Sequence, residues 1–71
     1  MKDEFWKTAF RRLVRCGFKR DGATMVRKVN DYYFVACIYD DCVRLATTDL
    51  FGVELYRTTI TEETLDTYLH I

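Results

Sequence analysis

The sequence predicts an α+β domain of order α-β-β-β-β-α: a four-stranded antiparallel meander with N- and C-terminal helices packed mainly on one face. Three observations predict this class. Apolar residues recur at helical spacing near the start, alternation with a period of two begins at Thr24, and a second helical pattern follows the last alternating run. The length of 71 residues suits one domain, residues 1–71.

A helix is predicted over about residues 3 to 16. Asp3 and Glu4 suit its first turn, where the helix dipole favours anions, and Gly17 suits its end. Its apolar stripe consists of Phe5, Trp6, Ala9, Phe10, Leu13, Val14 and Cys16. Asp21-Gly22 predicts the turn that leads into the sheet.

Four alternating runs, residues 24–29, 32–39, 42–48 and 53–58, predict the strands. The pairs Asn30-Asp31 and Asp40-Asp41 predict two-residue hairpin turns, and the loop that ends in Gly52 predicts a turn with a bulge. These turn lengths set the register.

The predicted register places one set of apolar residues on a single face of the sheet, which is consistent with a buried side. The expected cross-strand pairs are Val29 with Tyr32, Met25 with Ala36, Ile38 with Val43, Ala36 with Leu45, Phe34 with Thr47, Leu55 with Leu45, and Val53 with Thr47. Arg27 and Arg57 would lie at the edge of this face, with their charges in water.

The last segment predicts a short helix. Thr61 suits its N-cap, and Glu62 and Glu63 suit its first turn. Its apolar side consists of Ile60, Leu65, Tyr68 and Leu69. So short a helix needs to dock on the sheet, because helix propensity alone does not hold it.

The same register leaves a second sheet face with aromatic residues. If both helices take the opposite face, this one is open, and an open aromatic patch indicates a partner. The residues expected to form a protein interface are Tyr33, Val35, Tyr39, Arg44 and Tyr56. The partner would be a larger protein or a second copy in a homodimer. A further use of this face would be to bind nucleic acid, with bases stacked on Tyr33 and Tyr56. If one helix covers each face, no such patch exists.

Charge is divided along the chain. Residues 1 to 30 carry nine Lys/Arg and three Asp/Glu, whereas residues 31 to 71 carry two Lys/Arg and eight Asp/Glu. The acidic part, with Asp40, Asp41, Asp49 and Glu54, would add charge complementarity to the protein interface.

The basic part offers an alternative function, nucleic-acid binding by the N-terminal helix. Its residues are Lys7, Arg11, Arg12, Arg15, Lys19 and Arg20. Two other interpretations stay open: a solvated helix face, or ion pairs between Arg11 and Arg15 and the carboxylates of Glu62, Glu63 and Asp66.

No feature of the sequence indicates an enzyme. Serine is absent, the three glycines are isolated, and the single histidine, His70, is next to the last residue. Cys16, Cys37, Cys42 and His70 do not form the two close pairs typical of a zinc site. We therefore expect no cofactor, no metal and no small-molecule substrate.

The expected location is cytoplasmic, with no membrane partner. The sequence has no secretory signal and no run of about 20 apolar residues. Its three cysteines are an odd number, which favours reduced thiols.

The stretch LVRCGFKRDGATMVRKVNDYYFVACIYDD resembles the helix–Gly-Phe–strand entry of several small α+β domains of unknown function. This resemblance implies a fold type and no activity. The short chain and its divided charge are also similar to small proteins of phages and mobile elements, which often bind and block a larger target. Taken together, the sequence predicts a non-catalytic protein-interaction module of the inhibitor or adaptor type.

Overall fold

The computed structural model describes the backbone of residues 2 to 69 and the side chains of residues 4 to 69. His70 and the side chain of Asp3 lie outside these described residues. The fold is α+β, with a helix at each end of an antiparallel meander sheet. Its elements are α1 (Lys2–Arg15), β1 (Lys19–Asp21), β2 (Thr24–Val29), β3 (Tyr32–Ile38), β4 (Cys42–Asp49), β5 (Glu54–Thr61) and α2 (Leu65–Tyr68). The strand order is β1-β2-β3-β4-β5.

The sheet has five strands, so the prediction of four was wrong. The missed strand, β1, has three residues, all charged and all exposed. So short a polar segment has no apolar alternation to mark it in the sequence. It pairs with β2 because the chain reverses at Gly22, whose φ is +64°, and the Thr24 hydroxyl then donates to the Asp21 carbonyl oxygen at 3.0 Å. A short, charged strand at a sheet edge also resists pairing with other chains.

Helix α1 ends in a Schellman motif. The Phe18 N–H donates to the Leu13 carbonyl and the Gly17 N–H donates to the Val14 carbonyl, each at 3.0 Å. Gly17 occupies the left-handed position with φ +96°. Phe18 and Leu13, the pair of apolar residues that usually meet in this motif, are both buried. The helix stop predicted at Gly17 is confirmed.

Both two-residue hairpins are confirmed, and with them the register of β2, β3 and β4. Asn30 has φ +55°, as the first hairpin turn requires, and Val29 pairs with Tyr32. At the second turn the Tyr39 N–H donates to the Cys42 carbonyl at 2.8 Å. The observed pairs include Met25 with Ala36, Phe34 with Thr47, Ala36 with Leu45 and Ile38 with Val43.

The predicted register of β5 was wrong. Leu45 pairs with Thr58 and Thr47 pairs with Tyr56, not with Leu55 and Val53. The β4–β5 loop closes one residue later than expected, with the Asp49 N–H donating to the Val53 carbonyl, and an irregularity in the ladder at Thr47/Thr48 adds one more residue to β5. Because side chains alternate between the two faces, this extra residue reverses the facing of β5 from Tyr56 onward.

Helix α2 is shorter than predicted. Strand β5 continues to Thr61, which pairs with Cys42, so Thr61 is the end of a strand and not an N-cap. Residues 62–64 form a turn in which the Thr64 hydroxyl accepts a hydrogen bond from the Thr61 N–H at 2.9 Å. The helix then begins at Leu65.

Both helices pack on the same face of the sheet. Register places Met25, Ala36, Val43 and Ile60 on one face, and these residues share a single core with apolar residues of both helices. The buried core consists of Phe5, Ala9, Leu13, Phe18, Met25, Ala36, Val43, Ile60, Leu65 and Leu69. Among the described residues, no helix is long and apolar enough to span a bilayer.

Replacement of Leu13 by alanine tests the packing of α1. Leu13 is fully buried, so Leu13→Ala should lower the free energy of unfolding by about 2–5 kcal/mol. Val14→Ala on the neighbouring, half-exposed position should change it by less than about 0.5 kcal/mol. Urea denaturation followed by circular dichroism measures both. Equal losses for the two variants would contradict this packing.

Candidate functional site

The sheet face opposite the helices, here called the open face, is the first candidate site. Its rows follow from the register: Val26, Val35, Ala46 and Arg57 are successive cross-strand partners. Neighbouring rows add Lys28, Tyr33, Cys37 and Arg44, and Tyr39 follows at the end of β3. Of the five residues predicted for the protein interface, Tyr33, Val35, Tyr39 and Arg44 lie on this face.

Tyr56 does not lie on the open face. It pairs with Thr47, which is on the helix side of the sheet with Phe34. The extra residue in β5 exchanges the facing of Tyr56 and Arg57, so that Arg57 takes the place predicted for the tyrosine. Tyr56 is nevertheless 62% exposed, because it lies near an end of the sheet.

Two cations lie over the two tyrosines of the open face. The Cζ atom of Arg44 is 5.4 Å from the centroid of the Tyr39 ring, and the Nζ atom of Lys28 is 5.9 Å from the centroid of the Tyr33 ring. Both distances fall within the cation–π range. These contacts restrict long side chains on a rigid sheet, which lowers the entropy lost when a partner binds.

A shallow depression of about 250 Å³ marks the middle of the open face. Its lining includes Val35, Tyr39, Arg44, Glu54 and Arg57. The Arg57 Nη2 and Nε atoms donate to the Glu54 Oε1 atom at 2.8 and 3.2 Å. This hydrogen bond and the charge of Glu54 raise the pKa of Arg57 further, so the guanidinium stays charged.

The open face is cationic, which differs from the acidic character expected for the protein interface. Glu54 is already paired with Arg57. Asp40 and Asp41 form the β3–β4 turn, and the carboxylate of Asp49 accepts hydrogen bonds within the β4–β5 loop. Among the described residues, Lys28 and Arg44 form no ion pair, and each lies over a tyrosine ring of the open face.

The six predicted nucleic-acid-binding residues divide into two groups. Lys7, Arg11, Arg12 and Arg15 are on α1, whereas Lys19 and Arg20 are on β1. Arg12 forms an ion pair with Asp66, so the contact predicted between the two helices exists but uses a different arginine. Among the described carboxylates none forms an ion pair with Arg11 or Arg15. These two line a shallow groove on α1 with Thr8 and Arg12.

The three cysteines are free and half-buried. Cys37 and Cys42 are diagonal neighbours on the open face, because Cys37 pairs with Arg44. Partial burial raises the pKa of the Cys42 thiol, and the hydrogen bond to Asp41 and the charge of Asp41 add to this effect. The thiolate, which is the reactive form, is therefore disfavoured. Within the described part of the chain, no three His, Cys, Asp or Glu side chains group into a metal site.

The sequence-based prediction missed a second apolar surface at the β4–β5 loop. Phe51 is 92% exposed, and Leu50, Val53, Leu55 and Tyr56 are each about half exposed or more. The signal in the sequence was the segment LFGVELY, in which five of seven residues are large and apolar around a turn glycine. The predicted register instead places Val53 and Leu55 of this segment on the buried side of the sheet.

No protein-family model, curated protein or solved structure matches this chain.

The raised pKa of Cys42 predicts slow alkylation. The reaction of Cys42 with iodoacetamide should reach half its limiting rate at a higher pH than that of an ordinary thiol. Asp41→Asn should move this midpoint to lower pH, because it removes the negative charge that opposes the thiolate. Mass spectrometry of digested samples resolves the rate at each cysteine. Asp40→Asn, in the same turn, is the control, and an equal shift for both variants would contradict the assignment to Asp41.

Proposed function

We propose that this protein is a non-catalytic interaction module, of the inhibitor or adaptor type, that binds a larger protein through the open face. The observation that carries the proposal is the one-sided packing of α1 and α2 against a five-stranded sheet. The other side presents Tyr33, Tyr39 and Arg44 with no element of the described chain over them. Tyrosine and arginine are the residue types that most often dominate binding energy at protein interfaces.

Charge favours a different protein over a second copy as the occupant of the open face. Two copies stacked face to face would bring Lys28, Arg44 and Arg57 against the same cations, with Glu54 already paired. Like charges across an interface oppose association. A partner with carboxylates around an apolar centre would instead pair with the cations and cover the tyrosines.

Two further features agree with this proposal. The open face is a shallow surface on regular strands, which suits a broad protein contact better than a small substrate. The three half-buried free thiols suit a reducing compartment such as the cytoplasm.

Substitutions on the open face test the proposal. Tyr39→Ala and Arg44→Glu should each weaken partner binding by about tenfold or more, because each removes a typical anchor side chain. Thermal stability should change little, since both side chains are exposed. The partner is first identified by affinity capture from cells that carry the gene, and its affinity for each purified variant is then measured by calorimetry.

Tyr56→Ala is the matched control. It removes an exposed tyrosine from the same sheet but from the helix side, so it should leave the affinity unchanged. A partner that binds Tyr39→Ala and Arg44→Glu as tightly as the unmodified protein would overturn the proposal.

Nucleic-acid binding by α1 is the second candidate function. The observation that favours it is the groove lined by Thr8, Arg11, Arg12 and Arg15, in which Arg11 and Arg15 have no carboxylate partner among the described residues. Arginines spaced by four on one helix face match the repeated phosphates of a polynucleotide backbone.

The double variant Arg11→Glu/Arg15→Glu tests this second function. If α1 contacts phosphates, the variant should abolish binding of a labelled oligonucleotide, and a single substitution should reduce the slope of log K against log salt by about one. Fluorescence anisotropy at several salt concentrations measures both effects. Lys28→Glu/Arg44→Glu, on the opposite face of the sheet, is the charge-matched control. Absence of oligonucleotide binding by the unmodified protein at low salt would eliminate this function.

A further inference from the structure

Four cations surround a depression of about 440 Å³ where β1 meets β2, here called the β1–β2 notch. In the described part of the chain, its charged lining consists of Lys19, Arg20, Arg27, Lys28 and one carboxylate, Asp21, which gives an excess of three positive charges. Among the described residues, none of the four cations forms an ion pair. The excess charge is therefore available to a ligand.

The notch exists because β1 is short. Its three residues pair with Thr24, Met25 and Val26. The last part of β2, from Arg27 to Val29, therefore has no described strand beside it on that side of the sheet. Gly17, at the end of α1, adds its backbone to the lining. Cations of both strands thus border one space.

Two of the cations are held in position before any ligand binds. The Arg27 side chain packs against Gly17, where a Cβ atom would lie 3.4 Å from the Arg27 Nε atom. The C-terminal end of α1 is also the negative end of the helix dipole, which stabilises a guanidinium beside it. The Lys28 Nζ atom lies 5.9 Å from the centroid of the Tyr33 ring. Side chains that are already positioned lose less entropy when they bind an anion.

The charge and the size of the notch suit a ligand with several anionic groups. A single carboxylate would neutralise only one of the three excess charges. Phosphate oxygens match this lining, because the planar guanidinium of Arg27 forms paired hydrogen bonds with them and the lysines add point charges. The Arg20 Nε atom donates to the Gly22 carbonyl at 3.2 Å, which leaves the two terminal nitrogens of Arg20 for the ligand.

Two carboxylates limit the cationic stretch along this edge of the sheet. Asp21 pairs with Thr24 at the start of β2, and Asp31 lies in the turn that follows β2. Strand β2 has six residues and spans roughly 20 Å at about 3.3 Å per residue. A polynucleotide that ran along the edge would bring its phosphates against both carboxylates, whereas a short chain of phosphate groups lies between them.

We infer that the β1–β2 notch binds a free oligophosphate, a chain of phosphate groups such as the one that a nucleoside triphosphate carries. This inference goes beyond the proposed protein-binding function and does not depend on it. The notch borders the open face at Val26 and Lys28, but Tyr39 and Arg44, which test the protein contact, line the depression of the open face and not the notch. Either proposal therefore fails or holds without the other.

Calorimetric titration with inorganic tripolyphosphate is the first test. At low salt, one tripolyphosphate should bind to each chain, and orthophosphate should bind at least about tenfold more weakly because it reaches fewer of the cations. No binding of tripolyphosphate at low salt would contradict the inference. Equal affinities for the two ions would contradict it as well, because the notch would then hold an adventitious ion only.

Substitutions in the notch are the second test. Lys19→Gln/Arg27→Gln should weaken tripolyphosphate binding by about tenfold or more, because it removes two of the four cations. Both side chains are exposed, so the variant should fold, and thermal melts followed by circular dichroism check this. Arg27→Lys keeps the charge but loses the planar fork, so it should bind tripolyphosphate less tightly than the unmodified protein and more tightly than Arg27→Gln.

Arg11→Gln/Arg15→Gln removes the same charge from the groove on α1 and separates the two groups of arginines. A loss of tripolyphosphate binding in this variant, with binding retained in Lys19→Gln/Arg27→Gln, would assign the ion to α1 and refute the notch. Equal losses in both double variants would show that net charge alone attracts the ion, which also refutes a site.

NMR spectra of the backbone amides locate the ion without any substitution. Tripolyphosphate should shift the signals of Gly17, Lys19 and Arg27 most, and leave that of Thr61, on the opposite edge of the sheet, unchanged. A single-stranded DNA oligonucleotide is the second probe. If it shifts the same signals and binds more tightly than tripolyphosphate, the notch holds a polynucleotide backbone, and the inference of a free oligophosphate is wrong. Weaker binding of the oligonucleotide at these residues supports the free ligand.

Discussion

The burial of both helices against one face of the sheet is the constraint on which the rest of the structure depends. Residues of α1, β2, β3, β4, β5 and α2 contribute to one core. Two of its members, Ala9 and Ala36, are fully buried and small, which lets a helix approach the sheet closely. A domain of this size has few residues for a second apolar layer, and no described element covers the other face of the sheet. The candidate interface is a direct consequence of the way the core is built.

The extra residue in β5 has more influence on the surface than on the core. It turns Ile60 toward the helices, where it is fully buried, and turns Arg57 onto the open face. Tyr56 moves to the helix side of the sheet, near the β4–β5 loop. One additional residue thus adds a guanidinium to the open face, removes a tyrosine from it and enlarges the apolar surface at the end of the sheet. Such irregularities often redirect side chains at functional edges.

The charge division along the chain is only partly cancelled in the folded molecule. Arg12 and Asp66 connect α1 with the segment of α2, and an exposed pair of this kind contributes about 0–1 kcal/mol. Arg57 is paired with Glu54 on the open face. Other cations lie along α1, on β1 and beside the tyrosines, whereas Asp40 and Asp41 lie in the turn between β3 and β4. An anionic partner is therefore expected to approach these cationic surfaces, and a cationic partner is expected to approach the β3–β4 turn.

The sequence by itself determined α1, its end at Gly17, both two-residue hairpins and the place of Tyr33, Val35, Tyr39 and Arg44 on one face. These features depend on local periodicity and on turns whose length sets the register, so nearby residues suffice to predict them. Only the tertiary structure decided β1, the facing of β5, the partner of Asp66 and the exposure of Phe51. The strand β1 has no apolar alternation that would mark it. The ladder irregularity beside Tyr56 accompanies the burial of Ile60, a later residue of β5, in the core. Such choices are made by packing between distant segments, which local patterns do not record.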